Sequence, residues 1–214
     1  MPLKVIDLGL VHFPDAQVQQ KELFREIKSG RAGAGLIVCR HYPVITLSRK
    51  ANRDNILVSQ AELENKGISV YAVERGGDVT YHGPGQLIAY PVFNLNYFKK
   101  DIHWFLRYLE GLIIRCLEKS GVKGERSAGL TGVWSGRLKI ASLGIAIRNW
   151  ITFHGLSINI KSNDLANFSL IRPCGMDIIV TSMESETGRI IQIEEVKQNL
   201  VSLFESSFGF LNSN

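Results

Sequence analysis

The sequence predicts an α/β or α+β domain, and three observations carry that reading. Strand-like and helix-like apolar patterns alternate along the whole chain. Residues 102–120 keep one unbroken helical stripe. Two β-rich stretches, 139–147 and 151–160, are separated by a link of hairpin length. The chain has 214 residues, 45 % of them hydrophobic and 21 % charged, which is enough apolar material for a sizeable core. One domain spanning 1–214 is expected, with a small C-terminal subdomain from about residue 175 as the variant reading.

Taken in order, residues 3–12 alternate as a strand does. Pro14 suits the first turn of a following helix, with Val18, Phe24 and Ile27 on one stripe and Gly30 as its stop. Leu36 to Arg40 and Val44 to Arg49 read as strands around a Tyr42-Pro43 turn. Ser59 with Glu62 forms a capping box for a short helix closed by Gly67, and Ile68 to Val73 returns as a strand. In the clearest helix Ile102, Phe105, Leu106, Leu109, Leu112, Ile113, Cys116 and Leu117 share one face, Asp101 caps the start and Gly121 ends it. The two β-rich stretches follow. A last helix over about 194–207 sets Val196, Leu200, Leu203 and Phe204 on one side.

Composition excludes several classes of function. No window approaches the roughly 18 apolar residues of a membrane span, and Lys4, Asp7 and His12 break up the N-terminal stretch before a signal-peptide core forms. The formal charge of +5 comes from scattered bases rather than a stripe, so a nucleic-acid partner is not expected and an acidic protein partner fits. The three cysteines, Cys39, Cys116 and Cys174, have no CxxC spacing and are too few for a disulfide framework, which points to the reducing cytoplasm. No HExxH or Cys/His cluster offers metal-ligand spacing, so no metal is expected.

Residues 75–86, RGGDVTYHGPGQ, hold four glycines and a proline. Such a segment brings backbone close to a ligand or simply makes a tight turn; without GK[ST] or a following helix it is no phosphate loop. The cysteines differ in kind. Cys39 in an apolar strand and Cys116 on the apolar helix stripe read as inert thiols, whereas Cys174 in Arg172-Pro173-Cys174-Gly175 has the setting of an exposed reactive thiol or of an incidental loop cysteine. Lys139 opens an apolar strand and by itself reads as a solvated strand-edge residue. His82 and His154, each followed by glycine, fit a general base, a hydrogen-bond donor or a structural role.

The segment RGGDVTYHGPGQLIAYP at 75–91 resembles the signature of the octanoyltransferases of lipoate biosynthesis. GLTGVW at 129–134, LKIASLGI at 138–145, TFHGLSINI at 152–160 and IRPCGM at 171–176 resemble further stretches of that family in the same order, whereas the first seventy residues and the last thirty-five match only in general pattern. The resemblance implies the fold shared by biotin and lipoate protein ligases, a large mixed sheet with flanking helices and a smaller sheet beside it. It implies that Cys174 carries the acyl group as a thioester and that Lys139 pairs with it. It places substrate contacts on Arg75, Gly76, Gly77, Asp78, Val79, Thr80, Tyr81 and His82, on Ser142, Leu143 and Gly144, and on Gly155, Leu156 and Ser157. The implied reaction moves octanoyl from octanoyl-acyl carrier protein to a lysine of the lipoyl domains of 2-oxoacid dehydrogenases and of the glycine cleavage H protein, with no cofactor and a monomeric enzyme expected. The rival is an ATP-dependent lipoate protein ligase, which activates a free acid and needs no nucleophilic cysteine.

Overall fold

The computed structural model describes residues 3–173 and 178–211, and among these nine strands form two sheets. The chain opens with β1 (Lys4–Val11) and α1 (Phe13–Lys28), followed by β2 (Ala34–His41) and β3 (Val44–Ser48). Next come α2 (Gln60–Asn65), β4 (Ser69–Val73), β5 (Val79–His82), β6 (Gln86–Phe93) and α3 (Ile102–Lys119). The rest is β7 (Val133–Ser135), β8 (Leu138–Arg148), β9 (Ile151–Asn159), α4 (Met183–Thr187) and α5 (Ile193–Leu211). The large sheet runs β1-β2-β6-β9-β8-β7 and the small one β4-β3-β5. Both are mixed, because β1 lies parallel to β2 and β4 parallel to β3 while the remaining pairs are antiparallel. This is the large-plus-small sheet arrangement expected above.

Local sequence explains most element ends. Asp101 accepts from the Trp104 N–H and starts α3, Ser59 accepts from the Glu62 N–H and starts α2, and Gly67 and Gly121 end them with left-handed φ of 65° and 78°. The β8–β9 hairpin turns on Asn149 and Trp150 alone, both left-handed, which is the type I′ geometry that suits the twist of two strands. Helix α1 departs from expectation in its inner face. It buries Phe13, Ala16, Gln20, Leu23 and Ile27, spaced three and four apart, so Val18 falls between them and is half exposed. The glycine-rich segment also contains more structure than a loop, since β5 forms inside it and pairs with β3.

Helices α3 and α5 cover one face of the large sheet, where Phe105, Leu109, Leu200 and Phe204 pack with Phe93 and Ile158. Helix α1 covers the other face through Leu23 and Ile27 against Ile37 and Ile88. The small sheet has its own core around Ile45, Leu63, Tyr81 and Phe168. No helix among the described residues is long and apolar enough to cross a membrane.

Candidate active site

A narrow cleft of about 60 Å³ lies where the small sheet meets the β8–β9 pair. Glycines let the two parts approach, and let β6 and β9 pack closely within the large sheet. A Cβ on Gly144 would stand 2.9 Å from the Gly76 carbonyl oxygen, and one on Gly155 would stand 2.1 Å from that of Ala89. The Gly76 N–H donates to the Ile145 carbonyl at 2.9 Å and ties the glycine-rich segment to β8.

The structure brings thirteen of the sixteen site residues that the resemblance implies to this cleft: Arg75, Gly77, Asp78, Val79, Thr80, His82, Lys139, Ser142, Leu143, Gly144, Gly155, Leu156 and Ser157; His154 lines it too. Gly76 lies behind the lining. Tyr81 points away into the core of the small sheet, where its hydroxyl accepts from Asn167 at 2.8 Å and its ring meets Phe168 edge to face. Cys174 lies outside the described residues, but its chain neighbour Pro173 lines the same cleft as Lys139. Arg172 is fixed beside it, its N–H donating to the Asn55 carbonyl at 2.8 Å. Asn55 also donates to Asp78 at 2.5 Å, so the approach to residue 174 and the floor of the cleft share one anchor.

Lys139 is not a solvated edge residue. Strand β8 is flanked by β7 and β9, and a further bridge joins Lys139 to Val180, so the residue is only 7 % exposed. Its ammonium lies 5.2 Å from the centre of the Trp134 ring, a cation–π distance, and its stem runs past Gly132, where an added Cβ would stand 2.7 Å from Cε. The lysine is thus held in a fixed direction at the Pro173 end.

Two buried histidines, His82 and His154, line the cleft, and a third, His41, packs against His82 and Tyr90. His41 donates from Nδ1 to the Val11 carbonyl at 3.0 Å, since a carbonyl only accepts, and its Nε2 therefore accepts from the Tyr90 hydroxyl at 2.7 Å. Gln86 donates to Tyr81 and Asn159, which leaves its oxygen to accept from His82 Nδ1 at 3.0 Å. Burial pushes the His82 pKa down to about 3; burial and the Arg75 guanidinium push that of His154 down to about 4. Both rings are neutral at pH 7. Arg75 reaches across the small sheet to Thr46, bonding its carbonyl at 2.7 Å and its hydroxyl at 3.0 Å. Cys39 and Cys116 are buried thiols whose pKa values burial raises, that of Cys116 to about 12, and neither lines the cleft.

Comparison with known proteins places this geometry. The lipoyl protein ligase A/B catalytic domain family matches residues 14–205. Two curated octanoyltransferases are similar over nearly the whole chain: that of Thermoanaerobacter sp. (strain X514) is 44 % identical, covering 96 % of this chain and 90 % of the relative, and that of Geotalea uraniireducens is 40 % identical, covering 98 % and 94 %. The chain belongs to the lipoyl protein ligase A/B catalytic family, among its octanoyltransferases. It is an acyltransferase. The fold agrees: a lipoate-protein ligase A bound with ATP superposes with a TM-score of 0.76 at 16 % identity over 98 % of this chain and 86 % of that one, and the biotin protein ligase of Aquifex aeolicus with a TM-score of 0.54 at 12 % identity over 100 % and 73 %.

Within this octanoyltransferase family member the sequence reading missed several walls of the cleft. Phe13, Thr46, Val73, Ile88 and Tyr90 all line it, yet they come from α1, the small sheet and β6, and only the sheet order brings them to β8 and β9. No local spacing signals them.

Proposed function

We propose that this chain is a cytoplasmic enzyme that takes octanoyl from the thioester of acyl carrier protein and passes it to a lysine amine of a lipoyl domain, through an octanoyl thioester on Cys174. The observation that supports this reading best is Lys139. Its side chain is buried in a narrow cleft with a largely apolar lining, and that cleft includes the residue next to Cys174 in the chain. A cation there favours the thiolate, which is the nucleophilic form.

In the first half-reaction the Cys174 thiolate attacks the thioester carbonyl. The carrier's sulfur leaves with the bonding electrons and takes a proton from the Lys139 ammonium. In the second, the acceptor amine attacks the octanoyl-Cys174 carbonyl, the neutral Lys139 amine accepts the proton lost by the nitrogen, and Cys174 departs as the thiolate. Lys139 ends as it began. Thioester exchange followed by amide formation runs downhill without ATP. The buried Asp78 Oδ1 lacks a hydrogen-bond partner among the described residues and is an acceptor for an N–H of the donor arm or of the incoming amine. The apolar lining from Leu143, Leu156, Val79 and Ile88 takes the alkyl chain.

The test supplies octanoyl-acyl carrier protein and a lipoyl domain without ATP, and in parallel octanoate, ATP and the lipoyl domain. Octanoylation in the first mixture is the expected result. Octanoylation in the second alone would replace this reading with that of a ligase.

A further inference from the structure

We infer that His154 is the end stop that limits the length of acyl chain this enzyme accepts, an inference that rests on the octanoyl-transfer reading and identifies a specificity-determining residue of the same cleft.

The cleft has two ends. Lys139 and Pro173 mark the reactive one. From there the β8–β9 register carries the lining through Ser142 opposite Ser157, Leu143 opposite Leu156 and Gly144 opposite Gly155 to His154, whose strand partner Ile145 belongs to the core rather than to the lining. Three strand steps, from Ser142 to Ile145, span about 10 Å. Beyond His154 lies a second and much larger cavity of about 560 Å³, bounded by α1, the end of β4 and the β8–β9 hairpin. Among the described residues only Val73 and His154 line both spaces. They form the partition between them.

His154 is built to stay in place. Its φ of 57° is left-handed, a conformation that few side chains adopt inside a strand. Its N–H donates at 2.9 Å to Gln20, a buried residue of α1. Its ring packs against Phe153, with centroids 5.2 Å apart, and near Tyr90 at 6.5 Å. The residue is buried and its ring is uncharged at neutral pH, so it can cap an alkyl terminus without stranding a charge. Behind it Phe24 and Phe153 meet edge to face at 6.0 Å and offer apolar surface to any chain that passed the partition. A wall is a sharp discriminator against extra methylenes, because a rigid interior must shift to admit them, whereas an open apolar pocket gains only modestly from each one.

The experiment measures kcat/KM for octanoyl-, decanoyl- and dodecanoyl-acyl carrier protein in the wild type, in His154→Gly and in Val73→Ala. Glycine suits the left-handed φ, and Val73→Ala thins the partition from the other side without touching that backbone. The dodecanoyl-to-octanoyl ratio is expected to rise at least tenfold in His154→Gly and to rise in Val73→Ala. Folding is checked by near-ultraviolet circular dichroism; if His154→Gly does not fold, the Val73→Ala ratio decides. An unchanged ratio in the folded variants overturns the end stop. Failure of the wild type to transfer octanoyl at all would instead overturn the reading on which it rests, so the two failures are distinct.

Discussion

Glu110, wholly buried in α3, accepts the backbone N–H of Gly132 at 3.1 Å, and Gly132 is the residue against which the Lys139 stem lies. The other carboxylate oxygen takes Arg107 at 2.7 Å and Arg126 at 3.1 Å. One helix residue therefore pins the 124–132 segment that walls in the lysine. Glu110→Ala leaves the Gly132 N–H unpaired and is expected to lower stability by about 2 kcal/mol, while Glu110→Gln, which keeps an acceptor, should lose less. Urea unfolding of both variants checks the order; equal losses would show that the charge, not the Gly132 bond, matters.

The three neutral histidines give the fold a defined acid sensitivity. Their folded pKa values lie below that of an unfolded histidine: His82 at about 3 and His154 at about 4, with burial the largest cause for each, and His41 lowered by burial too. The unfolded chain therefore binds protons that the fold refuses. Their contribution is full above about pH 6.5 and is lost as pH falls toward the folded values, at about 1.4 kcal/mol per pH unit for each histidine. Asp164, whose carboxyl burial holds above its usual value, acts in the opposite sense. The ion-paired carboxylates of Glu26 and Glu184 are held below their usual range and so titrate under the window from pH 6.5 to 4.5. Unfolding free energy measured across that window should fall with acid, and less steeply in His82→Gln. A flat profile would contradict the neutral assignment.

Gly155→Ala should be among the most damaging small substitutions in the chain. The new Cβ would meet the Ala89 carbonyl oxygen at 2.1 Å and the Pro91 ring at 2.7 Å, and strand backbone cannot swing aside as a flexible side chain can. A loss of about 3 kcal/mol or more is expected by chemical denaturation. Gly129→Ala serves as the contrast. Its Cβ would meet nothing within 4 Å, although its left-handed φ of 74° carries a conformational cost.

Much of the fold was legible where a pattern is local. The α3 stripe, the Ser59 cap of α2 and the β8–β9 hairpin follow from spacing alone, as do the buried fates of Cys39 and Cys116. What escaped depends on long-range pairing. Strand β7 has only three residues, too short for any periodicity, yet it removes Lys139 from the edge. Strand β5 is hidden among glycines and declares itself only through its pairing with β3. Tyr81 and His82 are adjacent in sequence, but the pleat sends the tyrosine into the core of the small sheet and the histidine to the cleft. Val73 and Tyr90 face the site for reasons of sheet order that no local window contains.

Lys139→Ala should raise the pKa of the Cys174 thiol by roughly 1 to 3 units, the range seen when a close opposite charge is removed. Alkylation rate against pH, with the reacted cysteine identified by peptide mapping, reads it directly. Cys116 and Cys39 are too buried to confuse the profile. An unchanged curve would remove the lysine from the chemistry.

The central claim is the octanoyl-Cys174 intermediate. The measurement that tests it most directly is intact mass with peptide mapping after brief mixing with octanoyl-acyl carrier protein in the absence of ATP, followed by addition of a lipoyl domain. The account predicts one octanoyl group on Cys174 that moves to the lipoyl domain, with no adduct in Cys174→Ala. Transfer that persists at wild-type rate in Cys174→Ala would contradict it, and an adduct that decays only to free octanoate would show hydrolysis in place of transfer.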